Sequence, residues 1–263
     1  MIAASGKAQP YKKEPVPMSI PDDAVNSSAQ RRGGQELGLW HPKPPVQFDS
    51  AWPRWIKLAV PLVLMVLAFF VDSRITAWTL HHPLTIKSDV GLEVIMLGQW
   101  GQWTCSILVI LAVALIDRDG KRKALAIAVA LLSAVIVCYT LKGLFGRTRP
   151  WVLATGQWHF MGPAYGFGHG ASYQSFPSAH ASGAFALAAA LCWFYPNARA
   201  LFYGLALQVA VQRVLRNAHF CSDVIAGGTL AVVVVRSVLL WNWPGKLLAK
   251  MPPKLQAWYA PTA

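Results

Sequence analysis

Three short stretches of the chain collect the side chains that could do chemistry. The first is Lys142-Gly-Leu-Phe-Gly-Arg-Thr-Arg149-Pro150, and the second is Pro177-Ser178-Ala179-His180. The third is Arg213-Val-Leu-Arg216-Asn-Ala-His219-Phe-Cys-Ser-Asp223. Together they hold several cations, a hydroxyl, two imidazoles and a carboxylate, a set suited to phosphoryl transfer. A phosphate dianion needs several donors, and arginine meets it with a planar fork. A turn of small residues leading into a helix, as at Pro177–His180, offers backbone N–H groups to an anion. A nucleophilic histidine needs a partner to fix its tautomer and stabilise its charge. Asp223, four residues beyond His219, reaches the ring if the segment is helical. His180 can then give a proton to the leaving oxygen.

These stretches need elements to bring them together, and the composition says which. The 263 residues are 55% hydrophobic and only 13% charged, against about 25% charged in soluble domains. Mean hydropathy is +0.39. With 4 cysteines, the chain is no disulfide scaffold, and it reads as a polytopic membrane protein. Six apolar segments follow one another: Trp55–Val71, Trp103–Ile116, Ala124–Leu141, His180–Tyr195, Ala200–Leu215 and Val224–Trp241. Val90–Trp100, broken by Gly91, Glu93 and Gly98, reads as a re-entrant or interfacial helix between the first and second spans. The expected fold is therefore all-α, a polytopic membrane bundle of six transmembrane helices. Residues 1–54 read as a disordered cytoplasmic tail, 55–242 as the membrane domain and 243–263 as a cytoplasmic C-terminal tail.

The net charge of +13 suggests a membrane surface rather than nucleic acid, because many basic residues flank apolar runs. Lysine and arginine cluster in Asp117–Lys123, in Pro196–Arg199 and in the C-terminal tail, which places these inside and the loops 72–102, 142–179 and 213–223 outside. Lys142, Arg147, Arg149, Arg213 and Arg216 then sit against the topological bias, and an anionic substrate supplies a reason. After Asp119 the only acidic residue is Asp223. All three chemical stretches fall at the outer ends of the third to sixth helices, at one depth.

Other residues have plainer readings. Arg147 and Arg216 are expected to snorkel or to meet lipid head groups. His41, His81, His82 and His159 read as surface residues at helix ends, and His169 as part of a Gly-rich loop. Gln208 and Gln212, one turn apart, suggest an interhelical hydrogen bond. Cys105, Cys138 and Cys192 read as small hydrophobes, and Cys221 has no obvious disulfide partner. The tryptophans flanking the spans form aromatic belts. A metal site is not expected, because the histidines are dispersed and carboxylates are scarce.

Taken together, the three stretches resemble the type 2 phosphatidic acid phosphatase superfamily, which shares its site with glucose-6-phosphatase, bacterial acid phosphatases and vanadium haloperoxidases. The family pattern is a lysine followed after six residues by Arg-Pro, then Pro-Ser-Gly-His, then Ser-Arg, five residues, His, three residues and Asp. Lys142, Arg149 and Pro150 match the first block, Pro177, Ser178 and His180 the second, and Arg213, His219 and Asp223 the third. Ala179 stands where the family has Gly, and Gln212 where it has Ser. The resemblance implies that His219 attacks phosphorus, Asp223 orients and charges it, and His180 protonates the leaving group. It implies that Lys142, Arg149, Arg213 and Ser178, with the backbone at Ala179, hold the phosphate oxygens, with no cofactor or metal.

The function expected is that of an integral membrane lipid phosphatase, with its site at the outer face of a bacterial inner membrane and its lipid substrate arriving from the bilayer. Candidate substrates are phosphatidic acid, phosphatidylglycerol phosphate and a polyprenyl diphosphate such as undecaprenyl diphosphate. The rival readings are a lipid phosphotransferase on the same scaffold and a non-enzymatic phospholipid-binding or transport protein.

Overall fold

The computed structural model describes residue 40 and residues 54–82, 89–153 and 160–259. The expected tail, apart from Trp40 and Arg54, lies outside the described residues, as do His41 and His159. Ten α-helices are present among the described residues. They are α1 (Arg54–His81), α2 (Asp89–Leu97), α3 (Trp103–Ile116), α4 (Gly120–Phe145) and the single turn α5 (Pro150–Leu153), then α6 (Ala179–Phe194), α7 (Arg199–Leu215), α8 (Cys221–Leu240), α9 (Trp243–Ala249) and α10 (Pro253–Trp258). The molecule is an all-α membrane helix bundle.

Helix α6 is the centre, packed against α4, α7 and α8. Its sequence explains why. Ala181, Ala184, Ala186, Ala188 and Ala190 are almost wholly buried, and such small side chains let neighbouring backbones come close. The large apolar residues point the other way. Leu62, Leu67 and Phe70 of α1 and Leu108, Leu111 and Leu115 of α3 are exposed, as expected where lipid replaces water as the solvent.

The apolar runs appear as helices, but their lengths differ. Helices α1, α4 and α8 are long and apolar enough to cross a membrane. Helix α2, a 3₁₀ turn (Gly98–Gly101) and α3 make a unit bent by 63°, a broken span or a re-entrant loop. With 16 and 17 residues, α6 and α7 are about 24–26 Å long, short of the ~30 Å of hydrocarbon. At the ends where α6 starts and α7 stops, residues 146–153 and 160–178 and the bent unit fold in over them. Gly101 makes part of this possible, since a Cβ there would lie 2.6 Å from the His180 carbonyl oxygen.

Helix α1 corrects the sequence reading. It does not stop at Val71 but continues to His81. Asp72, Thr76 and Thr79 are buried in this extension, and their spacing of four and three residues puts them on one helix face. That face packs on α8. At the opposite end, the segment after Trp241 forms α9 and α10. Arg122 Nε donates to Tyr259 O at 2.7 Å and Lys121 Nζ to Trp258 O at 3.2 Å, so two basic residues of the expected cytoplasmic loop hold this end in place. Asn242 Nδ2 donates to Trp40 O at 3.2 Å.

Candidate active site

Local structure explains how each functional side chain is aimed. Helix α4 ends at Gly146, which takes the left-handed conformation at φ 59° and returns its N–H to Lys142 O. Glycine suits this position because it bears no Cβ. The turn sends Arg147 inward and brings Arg149 alongside the segment that precedes α6. Lys142, 2% exposed, donates to Gln174 O and lies 3.5 Å from Ser175 O. Arg149 Nε donates to Ala171 O at 2.8 Å and Nη1 to Ala218 O at 3.2 Å, tying the first stretch to the third.

Ser178 is the N-cap of α6, accepting from Ala181 N at 3.4 Å. Its own N–H donates to Asp223 O at 3.0 Å, so the Pro-Ser-Ala-His turn is fastened to α8. The N–H groups of Ala179 and His180 open the helix, and helix geometry leaves the first four N–H groups without intrahelical acceptors.

Helix α7 ends in a Schellman turn. Ala218 N donates to Arg213 O and Asn217 N to Val214 O, with Asn217 left-handed at φ 53°. Thr79 Oγ1 of α1 donates to Asn217 Oδ1 at 2.6 Å. The turn delivers His219, which is 1% exposed, into the interior. Asp223, in the first turn of α8, accepts the Phe220 N–H at 2.9 Å through Oδ2. This is the carboxylate half of a capping box. The same oxygen accepts from Ser175 Oγ and lies 3.5 Å from His219 Nδ1. At that distance the contact lies outside hydrogen-bond geometry, and neither ring nitrogen has a hydrogen-bond partner among the described residues. Burial holds the His219 imidazole well below its ordinary value, at about 3. Asp223 pulls it upward, and the Lys142 and Arg149 charges push it further down. The ring is therefore neutral, the form that can attack.

The structure brings together all eight residues singled out by the sequence: Lys142, Arg149, Ser178, Ala179, His180, Arg213, His219 and Asp223. His180 lies in the field of Arg213, Arg149, Lys142 and Arg216. Its Nε2 is 3.1 Å from Gln102 Nε2. Gln102 was not singled out. It sits between the bent unit and α3, and only the tertiary fold shows that this unit reaches α6. The other residues fall as follows: His81, His82 and His169 are exposed, and His169 Nδ1 meets Tyr165 O. The four cysteines are free.

Arg147 overturns its expected role. It does not snorkel to a head group but is 1% exposed. Its Nη1 donates to Asp223 Oδ1 at 2.6 Å and to Ser222 Oγ at 2.7 Å, and its Nη2 to Asp72 Oδ2 at 2.9 Å. Arg216 is exposed. Asp72 was also missed, because the first span was ended one residue before it. The signal was present: Asp72, Thr76 and Thr79 repeat at helical spacing directly after an apolar run. Among the described residues no group of three or more His, Cys, Asp or Glu side chains could hold a metal ion.

A buried imidazole backed by a carboxylate and surrounded by fixed cations, in a bundle with lipid-facing apolar helices, defines the site class of a membrane phosphatase. Comparison with known proteins agrees. Residues 123–246 match the PAP2 superfamily model. The chain is 32% identical over 189 residues to "Putative undecaprenyl-diphosphatase YbjG" of Escherichia coli K12, covering 69% of this chain and 82% of that protein. It is 37% identical over 91 residues to "Lipid A 1-phosphatase" of Rhizobium etli, a stretch covering 33% of this chain and 36% of that protein. A protein of the same name from Rhizobium johnstonii matches at 37% over 91 residues, covering 33% of this chain and 34% of that protein. No solved structure matches the chain. The chain belongs to the PAP2 superfamily and is a phosphatase.

Proposed function

We propose that the protein removes the terminal phosphate of a polyprenyl diphosphate at the outer face of the membrane, through a phosphohistidine on His219. The observation that carries this reading is the buried, neutral His219, with Asp223 Oδ2 3.5 Å behind Nδ1 and the Lys142 and Arg149 charges acting on the ring. The name of the relative matched over 82% of its length supports the substrate class.

Nδ1 carries the proton and faces Asp223, which leaves the Nε2 lone pair for phosphorus. As the N–P bond forms, the bond from phosphorus to the bridging oxygen breaks, His180 gives that oxygen a proton, and the lipid leaves as a monophosphate. Lys142, Arg149 and Arg213, with Ser178 and the N–H groups opening α6, hold the phosphoryl oxygens where charge develops. The positive charge that forms on the ring is balanced by Asp223. Water then attacks the phosphohistidine, His180 takes its proton, and the P–N bond breaks to release inorganic phosphate and neutral His219.

Fixed cations perform the charge neutralisation for which many phosphoryl-transfer enzymes use magnesium. Phosphate release by the purified protein from a polyprenyl diphosphate is expected to survive EDTA and to be inhibited by vanadate, which mimics five-coordinate phosphorus. A panel that includes phosphatidic acid sets the substrate class. No release from any lipid would overturn the reading, and loss on chelation with rescue by magnesium would overturn the metal-free site.

Orientation is tested separately. The lysine and arginine distribution puts the loop 146–178 outside and Arg118 inside. In a background lacking Cys105 and Cys221, Ala171→Cys is expected to react with an impermeant thiol reagent on intact cells, and Arg118→Cys only after lysis. Ala171 is exposed and has ordinary backbone angles, whereas the nearby Gly162 has φ 100°, which disfavours any side chain. The reverse labelling pattern would put the site on the cytoplasmic face.

A further inference from the structure

Asp72 lies in α1, outside the 123–246 segment that matches the family model, yet it is built into the site. It is 3% exposed. Its Oδ1 accepts the Ser222 N–H at 3.0 Å, and its Oδ2 accepts from Ser222 Oγ and from Arg147 Nη2 at 2.9 Å. Arg147 in turn donates to Asp223 at 2.6 Å. The guanidinium has little freedom to choose another partner. Its carbon lies 4.0 Å from the centre of the Phe220 ring, 4.9 Å from Phe69 and 5.2 Å from Phe160. A buried cation in an aromatic cage divides its charge between the two carboxylates within reach.

That division matters because Asp223 has two claimants, Arg147 and His219. Were Arg147 the sole cation beside a sole carboxylate, the pair would be neutral and Asp223 would have little charge left for His219. With Asp72 present, the hydrogen-bonded set of Asp72, Arg147 and Asp223 carries two negative charges and one positive. The net charge of −1 is offset when the His219 ring becomes positive during phosphoryl transfer. We propose that Asp72 is a positioning residue which, through Arg147, keeps the charge and orientation of Asp223 available to His219. This deepens the phosphohistidine reading above and rests on it.

The test follows phosphoenzyme formation with farnesyl diphosphate labelled in its terminal phosphate, quenched in alkali because the N–P bond is acid-labile. Wild-type protein is expected to form a labelled histidine; if it does not, the phosphohistidine reading falls and this inference with it. Asp72→Asn is expected to slow the formation rate by about 10–100-fold, the range found when the partner that orients a metal-bound histidine is removed. The number of vanadate-binding sites per protein and the inhibition constant of inorganic phosphate stay unchanged, because the phosphate-holding cations are untouched. A merely structural role would lower the number of vanadate-binding sites instead. In an Arg147→Gln background, Asp72→Asn should cost nothing further, because Asp72 acts through Arg147. This second comparison also carries the test if Asp72→Asn alone does not fold, since the double variant leaves no buried guanidinium short of a carboxylate. A wild-type rate in Asp72→Asn, or losses that multiply in the double variant, would overturn the proposal while leaving the phosphohistidine reading intact.

Discussion

Replacing His219 with alanine is expected to abolish turnover on every lipid phosphate, a loss on the order of 10⁶-fold, as when a covalent nucleophile is removed elsewhere. The ring is almost wholly buried, so its removal also opens a cavity beside Asp223. Burial keeps it neutral, at a pKa of about 3, so its lone pair is available across the physiological pH range. Asp223 would remain held by the Phe220 N–H and Arg147, with no ring left to orient. The measurement is phosphate release together with trapping of the phosphoenzyme. Residual turnover that still passes through a trapped phosphoenzyme in His219→Ala would move the nucleophile to another residue.

His180→Ala is expected to divide substrates by their leaving groups. A monoester such as phosphatidic acid expels an alkoxide, which is strongly basic and needs a proton in the transition state. A polyprenyl diphosphate expels a lipid phosphate, already a good leaving group near neutral pH. General acid catalysis contributes ~10²–10⁴-fold, so the variant should lose about that much on the monoester and clearly less on the diphosphate. The His180 ring is poised for such exchange, being partly exposed and in contact through Nε2 with Gln102. His219→Ala, by contrast, should lose both activities alike. Equal losses on the two lipids in His180→Ala would mean that His180 positions phosphate rather than supplying a proton.

That the eight candidate residues come together was legible because each belongs to a short stretch whose internal spacing already limits its geometry. His219 and Asp223 are one example: a separation of four residues across a helix start puts a carboxylate within reach of an imidazole wherever the helix lies. Ser178 is another, because a serine after proline and before an alanine-rich helix is a cap by local rules alone. The bundle was legible for a similar reason. Continuous apolar runs in a chain with 13% charged residues become helices in lipid, because every backbone group must be bonded internally and the other solution, a closed barrel, needs alternating strands.

Arg147, Asp72 and Gln102 escaped because their partners are far away in the chain. Arg147 and Asp72 are 75 residues apart, and Gln102 and His180 are 78. No local rule tells a basic residue at a helix end whether it meets a lipid phosphate or a buried carboxylate. Composition favours the former, and burial decides for the latter. The end of α1 was misjudged for the same reason. Asp72 looks like the polar edge of a span until a guanidinium from α4's C-terminal turn is packed against it.

By itself, then, the sequence determined the helical membrane architecture, the order of the three chemical stretches and the residue types they bring, because all of these follow from hydrophobicity and short-range spacing. Only the tertiary structure decided how the charges are shared. A carboxylate has a limited number of acceptor sites and a guanidinium a limited number of donors, and which of them meet depends on the packing of α1, α4 and α8. That packing spends Arg147 on Asp72 and Asp223 rather than on lipid, and it leaves Asp223 facing His219 with a second carboxylate behind it.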